Sequence, residues 1–176
     1  YKAKGWENVI CYGMGSTLDD VKNAAAAEMN IVCSAAAIKA AEYLKEKFGT
    51  PYEIEYPQSC LPEEIVQKAD NFADKNVLVI HNQTAADAVR KLITEKSGKC
   101  HCTSATFFMQ KKELSQQSDF FLADESDLCD NVGDNYDVVI ADKTLRRVMK
   151  NFSGEFIDFP HFGLSGRLLQ GESEKI

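Results

Sequence analysis

Six loops in this sequence carry side chains able to hold a ligand, a proton or a metal, and each follows a short apolar run: Gly13 to Ser16, Cys33-Ser34, Pro57 to Cys60, His81 to Gln83, Ala141-Asp142 and Pro160 to Phe162. Ligands of open parallel sheets bind beyond the carboxyl ends of the strands. That rule makes Gly13, Ser16, Ser34, Cys60, His81 and Asn82 the candidate cofactor-binding residues. Gly13-Met14-Gly15 suits a phosphate, yet Leu18 stands where the third glycine of the dinucleotide fingerprint belongs, and a tight turn is the alternative. His81 with Asp142 suggests proton transfer, but no serine or cysteine is spaced to serve as its nucleophile, so no catalytic residue is assigned. Asn82 and Thr84 have a simpler role open to them, bonding the amides of the helix that follows.

Six cysteines are present (Cys11, Cys33, Cys60, Cys100, Cys102 and Cys129), and none form a C-x-x-C pair, which argues against a zinc ribbon or a thioredoxin-type motif. Cys100-His101-Cys102 is the densest group. In an extended segment residues i and i+2 share a face, so further ligands would have to come from elsewhere; the alternative is two small apolar residues opening a strand.

The elements that must position these loops alternate. Apolar runs at 8–12, 31–33, 52–56, 76–80, 103–108 and 137–140 predict parallel strands, with shorter ones at Phe120 to Leu122 and Phe156 to Phe159. Asn76-Val77-Leu78-Val79-Ile80 reads as buried on both faces. Helices are expected between them. One opens with a capping box at Ser16/Asp19 or Thr17/Asp20; Ser34 caps an alanine-rich helix with Ala37, Ala41, Leu44 and Phe48 on one face, and Gly49 and Pro51 stop it. Pro62 starts the next, Thr84 with Asp87 caps the one after, and others are expected at Lys111 to Gln117, at Asp124 to Val132 ending at Gly133, and at Lys143 to Lys150. The basic face of that last helix is either solvated or a docking site for an acidic redox partner. The fold class is therefore α/β, Rossmann-like, three layers with parallel sheets flanked by helices, in two lobes: 1–61, a partial lobe, and 62–170, a second one, with 171–176 a loose tail.

At 176 residues and 44% hydrophobic, the chain can bury one substantial core or two small ones. A net charge of -7, without a basic stripe among aromatics, excludes nucleic acid as an expected partner. No apolar run reaches the roughly eighteen residues of a membrane span. The opening Tyr1-Lys2-Ala3-Lys4-Gly5-Trp6 has neither a signal peptide's apolar core nor an initiator Met, and reads as the start of a piece excised from a longer cytoplasmic protein.

The run Asn30 to Tyr52, "NIVCSAAAIKAAEYLKEKFGTPY", follows Gly15-Ser16-Thr17-Leu18 and a helix; the chain closes on Asp158-Phe159-Pro160-His161-Phe162-Gly163-Leu164-Ser165-Gly166-Arg167. In these motifs and their order it resembles the middle and C-terminal part of nitrogenase component 1-type oxidoreductases: molybdenum-iron protein subunits, their cofactor-assembly relatives, and protochlorophyllide reductase subunits. The resemblance implies Rossmann-like domains and iron-sulfur or related metal clusters in the full-length protein, with none expected in the isolated fragment. It implies a homologous subunit and an ATP-dependent iron-sulfur reductase as partners. It also implies metal ligands at Cys33, close to where catalytic subunits anchor their cofactor, and at His161, close to where they ligate its heterometal. A small packing residue and a loop histidine bonded to a backbone carbonyl are the alternatives there.

The expected function is thus a domain fragment of a nitrogenase-like oxidoreductase, passing electrons to a substrate or metal cluster in the inter-domain cleft, and inactive by itself. A cofactor-assembly scaffold without turnover and a small-molecule-binding Rossmann-like module are the other readings. The substrate is not written in these residues.

Overall fold

A computed structural model describes residues 1–13, 15–132 and 135–165. The expected helix end at Gly133 and the tail 171–176 lie outside them. The chain divides into two compact units, Tyr1–Val32 with Ala37–Glu53, and Cys33–Ala36 with the described residues from Ile54 on.

In the first unit, helix α1 (Leu18–Lys22) opens on the expected capping box: the Asp20 amide bonds the Thr17 hydroxyl while the Asp20 carboxylate accepts from the Thr17 amide at 2.7 Å. Strands β1 (Asn30–Val32) and β2 (Tyr52–Ile54) pair, joined through α2 (Ile38–Phe48). Ser34 does not cap α2. Its hydroxyl instead accepts from the Ala36 amide, and a single 3-10 turn, Ala35–Ala37, precedes the helix. Gly49 ends α2 in the left-handed conformation (φ 76°), where a side chain would be strained. On the helix itself Ile38 and Ala41 are buried, whereas Phe48 of the expected apolar face is exposed.

The predicted strand at 8–12 does not form. Val9, Ile10 and Tyr12 are exposed, and no described residue pairs with them; a strand exists only when a neighbour takes its amides and carbonyls.

The second unit is built on five parallel strands: β3 (Asn76–Ile80), β4 (His101–Thr106), β5 (Phe120–Phe121), β6 (Val138–Ala141) and β7 (Glu155–Asp158), in the order β5-β4-β3-β6-β7. This is a Rossmann-like arrangement. The chain leaves β3 toward one edge, then returns to lay β6 on its other side, so the switch point lies between β3 and β6. Central β3 is buried on both faces, as its unbroken apolar sequence requires. Val77 and Val79 pack with Ile65 of α3 (Glu63–Lys68) and with Val89 and Ile93 of α4 (Gln83–Ser97). Leu78 and Ile80 point the other way, into a layer with Leu128 and Val132 of α5 (Glu125–Val132). Burying each such side chain contributes about 1.5–3 kcal/mol.

Two expected helices shrink to short 3-10 segments, Lys112–Leu114 and Lys143–Arg147. In the latter, side-chain carboxylates take the first amides, Asp158 that of Lys143 and Asp142 that of Thr144, and the Leu145 amide closes on the Asp142 carbonyl three residues back.

Candidate functional site at the switch point

The chain leaves β3 into His81, β6 into Asp142, and β7 through Phe159 and Pro160 into His161. Three segments far apart in sequence therefore deliver two imidazoles and a carboxylate to the carboxyl edge of one sheet. The His81 ring stacks on Phe159 (centroids 4.0 Å apart, planes at 19°) and meets His161 edge-on at 4.5 Å. His161 in turn stacks on Phe108 at 3.9 Å, and Tyr56 stands edge-on to both His81 and Phe159. The five rings make a continuous aromatic wall.

Hydrogen bonds set the tautomers. Nε2 of His81 lies 3.2 Å from the Pro160 carbonyl, which only accepts, so the proton of His81 sits on Nε2. Its Nδ1 then carries a lone pair, and this atom is buried without a partner among the described residues. Gly163 donates its amide to Nδ1 of His161 at 3.0 Å, which leaves the proton of neutral His161 on Nε2. A Cβ on Gly163 would come within 3.1 Å of Phe108 and 3.3 Å of the His161 ring, so glycine suits this close approach.

Charge at the edge is muted. Burial, and then the neighbouring His161, push His81 down to about 4, against a weaker upward pull from the Pro160 carbonyl and Asp142. Burial also lowers His161, opposed by Asp142. For Asp142 burial works upward, but hydrogen bonds from the His161 amide, Ser165 and Thr144 outweigh it and hold the carboxyl below its ordinary value. Tyr56 is raised by burial and by the sulfurs of Cys60 and Cys33. Near neutral pH the site is two neutral imidazoles, a neutral phenol and a carboxylate whose lone pairs are already engaged.

The other residues singled out from sequence fall as follows. Asn82 caps α4, accepting from the Ala85 amide at 3.0 Å; Thr84 does not cap it, but donates to the Cys33 carbonyl. Asp87 is instead paired with Arg90. Ser34 bonds within its own loop, and Cys33 and Cys60 are exposed. Gly13 and Ser16 belong to the first unit, where the Ser16 hydroxyl donates to the Gly13 carbonyl at 2.7 Å. Cys102 is buried, its thiol pushed up to about 12, chiefly by burial, which fits a packing residue. Sequence reasoning passed over Tyr56, Phe108 and Gly163. The one available signal was glycine two positions after His161, the spacing at which a backbone amide reaches the ring.

Metal coordination through Nε2 of His161 would require moving its proton to Nδ1 and giving up the Gly163 hydrogen bond. Among the described residues no group of three or more His, Cys, Asp or Glu is placed to hold a metal ion.

No helix among the described residues is long and apolar enough to cross a membrane. No family model matches the sequence, and no curated protein matches it. Among solved structures the chain is similar to nitrogenase Cp1, determined at pH 6.5: the two superpose with a TM-score of 0.53 at 15% sequence identity over 92% of this chain. The match spans 45% of that nitrogenase chain, and what it shows is a shared nitrogenase-type fold.

Proposed function

We propose that this chain is a segment of a nitrogenase-like oxidoreductase of component 1 type, and that the carboxyl edge of its five-stranded sheet lines the place where a substrate or metal cluster receives electrons. The observation that carries the reading is the convergence of His81, Asp142 and His161 at the switch point of a sheet whose fold matches nitrogenase Cp1 over nearly the whole chain. In this reading the aromatic wall excludes water and orients a bound group, His161 offers it an Nε2–H, and Asp142 holds the His161 backbone in place. Electrons would arrive from an ATP-dependent iron-sulfur reductase, and a homologous subunit and regions beyond this chain would supply the remaining ligands of any cluster.

The test is anaerobic purification of the protein that carries this chain from its own cells, followed by iron analysis and electron paramagnetic resonance before and after reduction. Iron and a signal that changes on reduction are expected. Protein free of iron and silent in both states overturns electron transfer and leaves the fold alone. A second reading, a small-molecule-binding module, is favoured by the pre-engaged donors of the site; an iron-free protein that still binds a small molecule at the His81 edge would establish it.

A further inference from the structure

The connection from β4 to β5, residues 107–119, is longer than the roughly 2–6 residues usual between elements of α/β units, and such long connections often serve as lids. Its side chains do little to hold it down. Phe107 and Phe120 lean on the core at its two ends, but no side chain from Phe108 to Ser118 belongs to either core cluster, and every residue of that stretch is half-buried or exposed. A segment without buried apolar contacts opens at little cost unless polar groups fasten it.

One residue supplies most of that fastening. Gln83, the first residue of α4, is only 2% exposed, and its amide is spent on this connection alone. Nε2 donates to the Lys111 carbonyl and to the Ser115 hydroxyl, both at 2.9 Å, and Oε1 accepts from the Lys111 amide at 3.0 Å. The far end is tied by Asp119 to Arg90 and to the Ser104 amide. At the near end Phe108 lies flat on His161, which stands edge-on to His81, where the buried Nδ1 has no partner among the described residues. A single neutral latch thus holds a core-free strap against the two imidazoles. We propose that residues 108–118 are a strap over the His81 edge, latched by Gln83, which opens while the sheet stays folded and so controls access to His161 and His81. This rests on the reading of that edge as a binding place, but opening is measured without iron or ligand, so it can fail while that reading stands.

The first measurement follows hydrogen exchange of the whole chain residue by residue by NMR at rising, sub-denaturing urea. The Phe108 and Lys111 amides, bonded to Thr106 Oγ1 and Gln83 Oε1, should be protected and exchange at rates nearly independent of urea, because a local opening exposes little surface, whereas β3 amides should follow global unfolding. The second treats parent and Gln83→Leu with diethylpyrocarbonate and maps modified peptides. Gln83→Leu should speed modification of the His161 and His81 imidazoles severalfold, leaving exposed His101 as an unchanged internal control. Ser115→Ala, which removes one of the three latch bonds at a half-buried position, should give a smaller rise in the same sense. Strap amides that share the urea slope of β3, or that show no protection in the parent, overturn the proposal. So do rates for both imidazoles that Gln83→Leu leaves unchanged.

Discussion

Two regions of this molecule use similar sequence patterns to different effect. The second unit turns its apolar runs into five parallel strands with a packed layer on each face, and its largest side chains, among them Phe72, Ile65 and Leu78, are wholly buried. The first unit has comparable runs, yet among its described residues two three-residue strands pair, and Val9, Ile10, Tyr12, Leu18, Val21, Tyr43 and Phe48 stand exposed. The difference lies in closure of the ladder. A central strand such as β3 has a neighbour on each side, so its amides are satisfied and both faces can be covered; the 8–12 run has no partner among the described residues and stays irregular. Periodicity states which face a residue would present, and pairing decides whether there is a face.

The largest effect is expected where closure is most complete. Val79→Asp puts a carboxylate into a strand position with no exposed surface, at a cost above about 5 kcal/mol, comparable with the whole stability of a typical domain. The variant should lose its cooperative thermal transition. A melt like the parent's would mean that the second unit is no better closed than the first.

Next is Arg90, buried on α4. Its guanidinium bonds the Cys102 carbonyl of β4 and pairs with Asp87 and with Asp119, whose side chain is only 2% exposed. Removing the cation in Arg90→Met leaves Asp119 buried without its counter-ion, a loss of about 3–5 kcal/mol. Urea unfolding reads it directly. A loss below about 1 kcal/mol would show that the Ser104 and Gln116 amides, which Asp119 also accepts, satisfy it alone.

How much of this was legible follows the same division. The buried character of Val77 to Ile80 was written in an uninterrupted apolar run, and the strand-end rule singled out the His81, Asp142 and His161 loops. What lay beyond reach was the pairing of distant partners: nothing near His81 says that its Nε2 will meet the carbonyl of Pro160, 79 positions away, or that Phe159 will lie flat against its ring. The capping of α4 was misplaced by two residues because Asn82 and Thr84 are both competent, and the Cys33 carbonyl, remote in sequence, drew the threonine away. The shortened turn at Lys143 likewise depends on Asp158 of β7, a strand that had to be placed before its carboxylate could be counted.

A smaller effect probes the site itself. His81 titrates at about 4 in the folded chain against an ordinary 6.5, so as pH falls the unfolded chain takes up its proton first. Stability is therefore full above about pH 6.5 and declines toward pH 4, by about 3 kcal/mol over the window, with His161 adding in the same sense. Denaturant midpoints at about pH 7 and about pH 4.5 measure it. His81→Phe, which can keep the stack on Phe159, should flatten the decline. An equal slope in parent and variant would remove His81 from the account.

The smallest effect tests the exposed side of the comparison. Leu18 is 80% exposed and Val21 56% exposed, both on α1 of the first unit. If water already surrounds these side chains in the folded state, exchanging them for serine removes no burial. What remains is helix propensity, a few tenths of a kcal/mol against leucine and close to nothing against valine. Nor should the cap suffer, since Thr17 and Asp20 hold it without either residue. Leu18→Ser and Val21→Ser should therefore each lie within about 0.5 kcal/mol of the parent in urea unfolding, whereas Val79→Asp abolishes the transition. A loss above about 1 kcal/mol from either serine would mean that α1 is covered in solution, and the contrast between an open unit and a closed one would have to be redrawn.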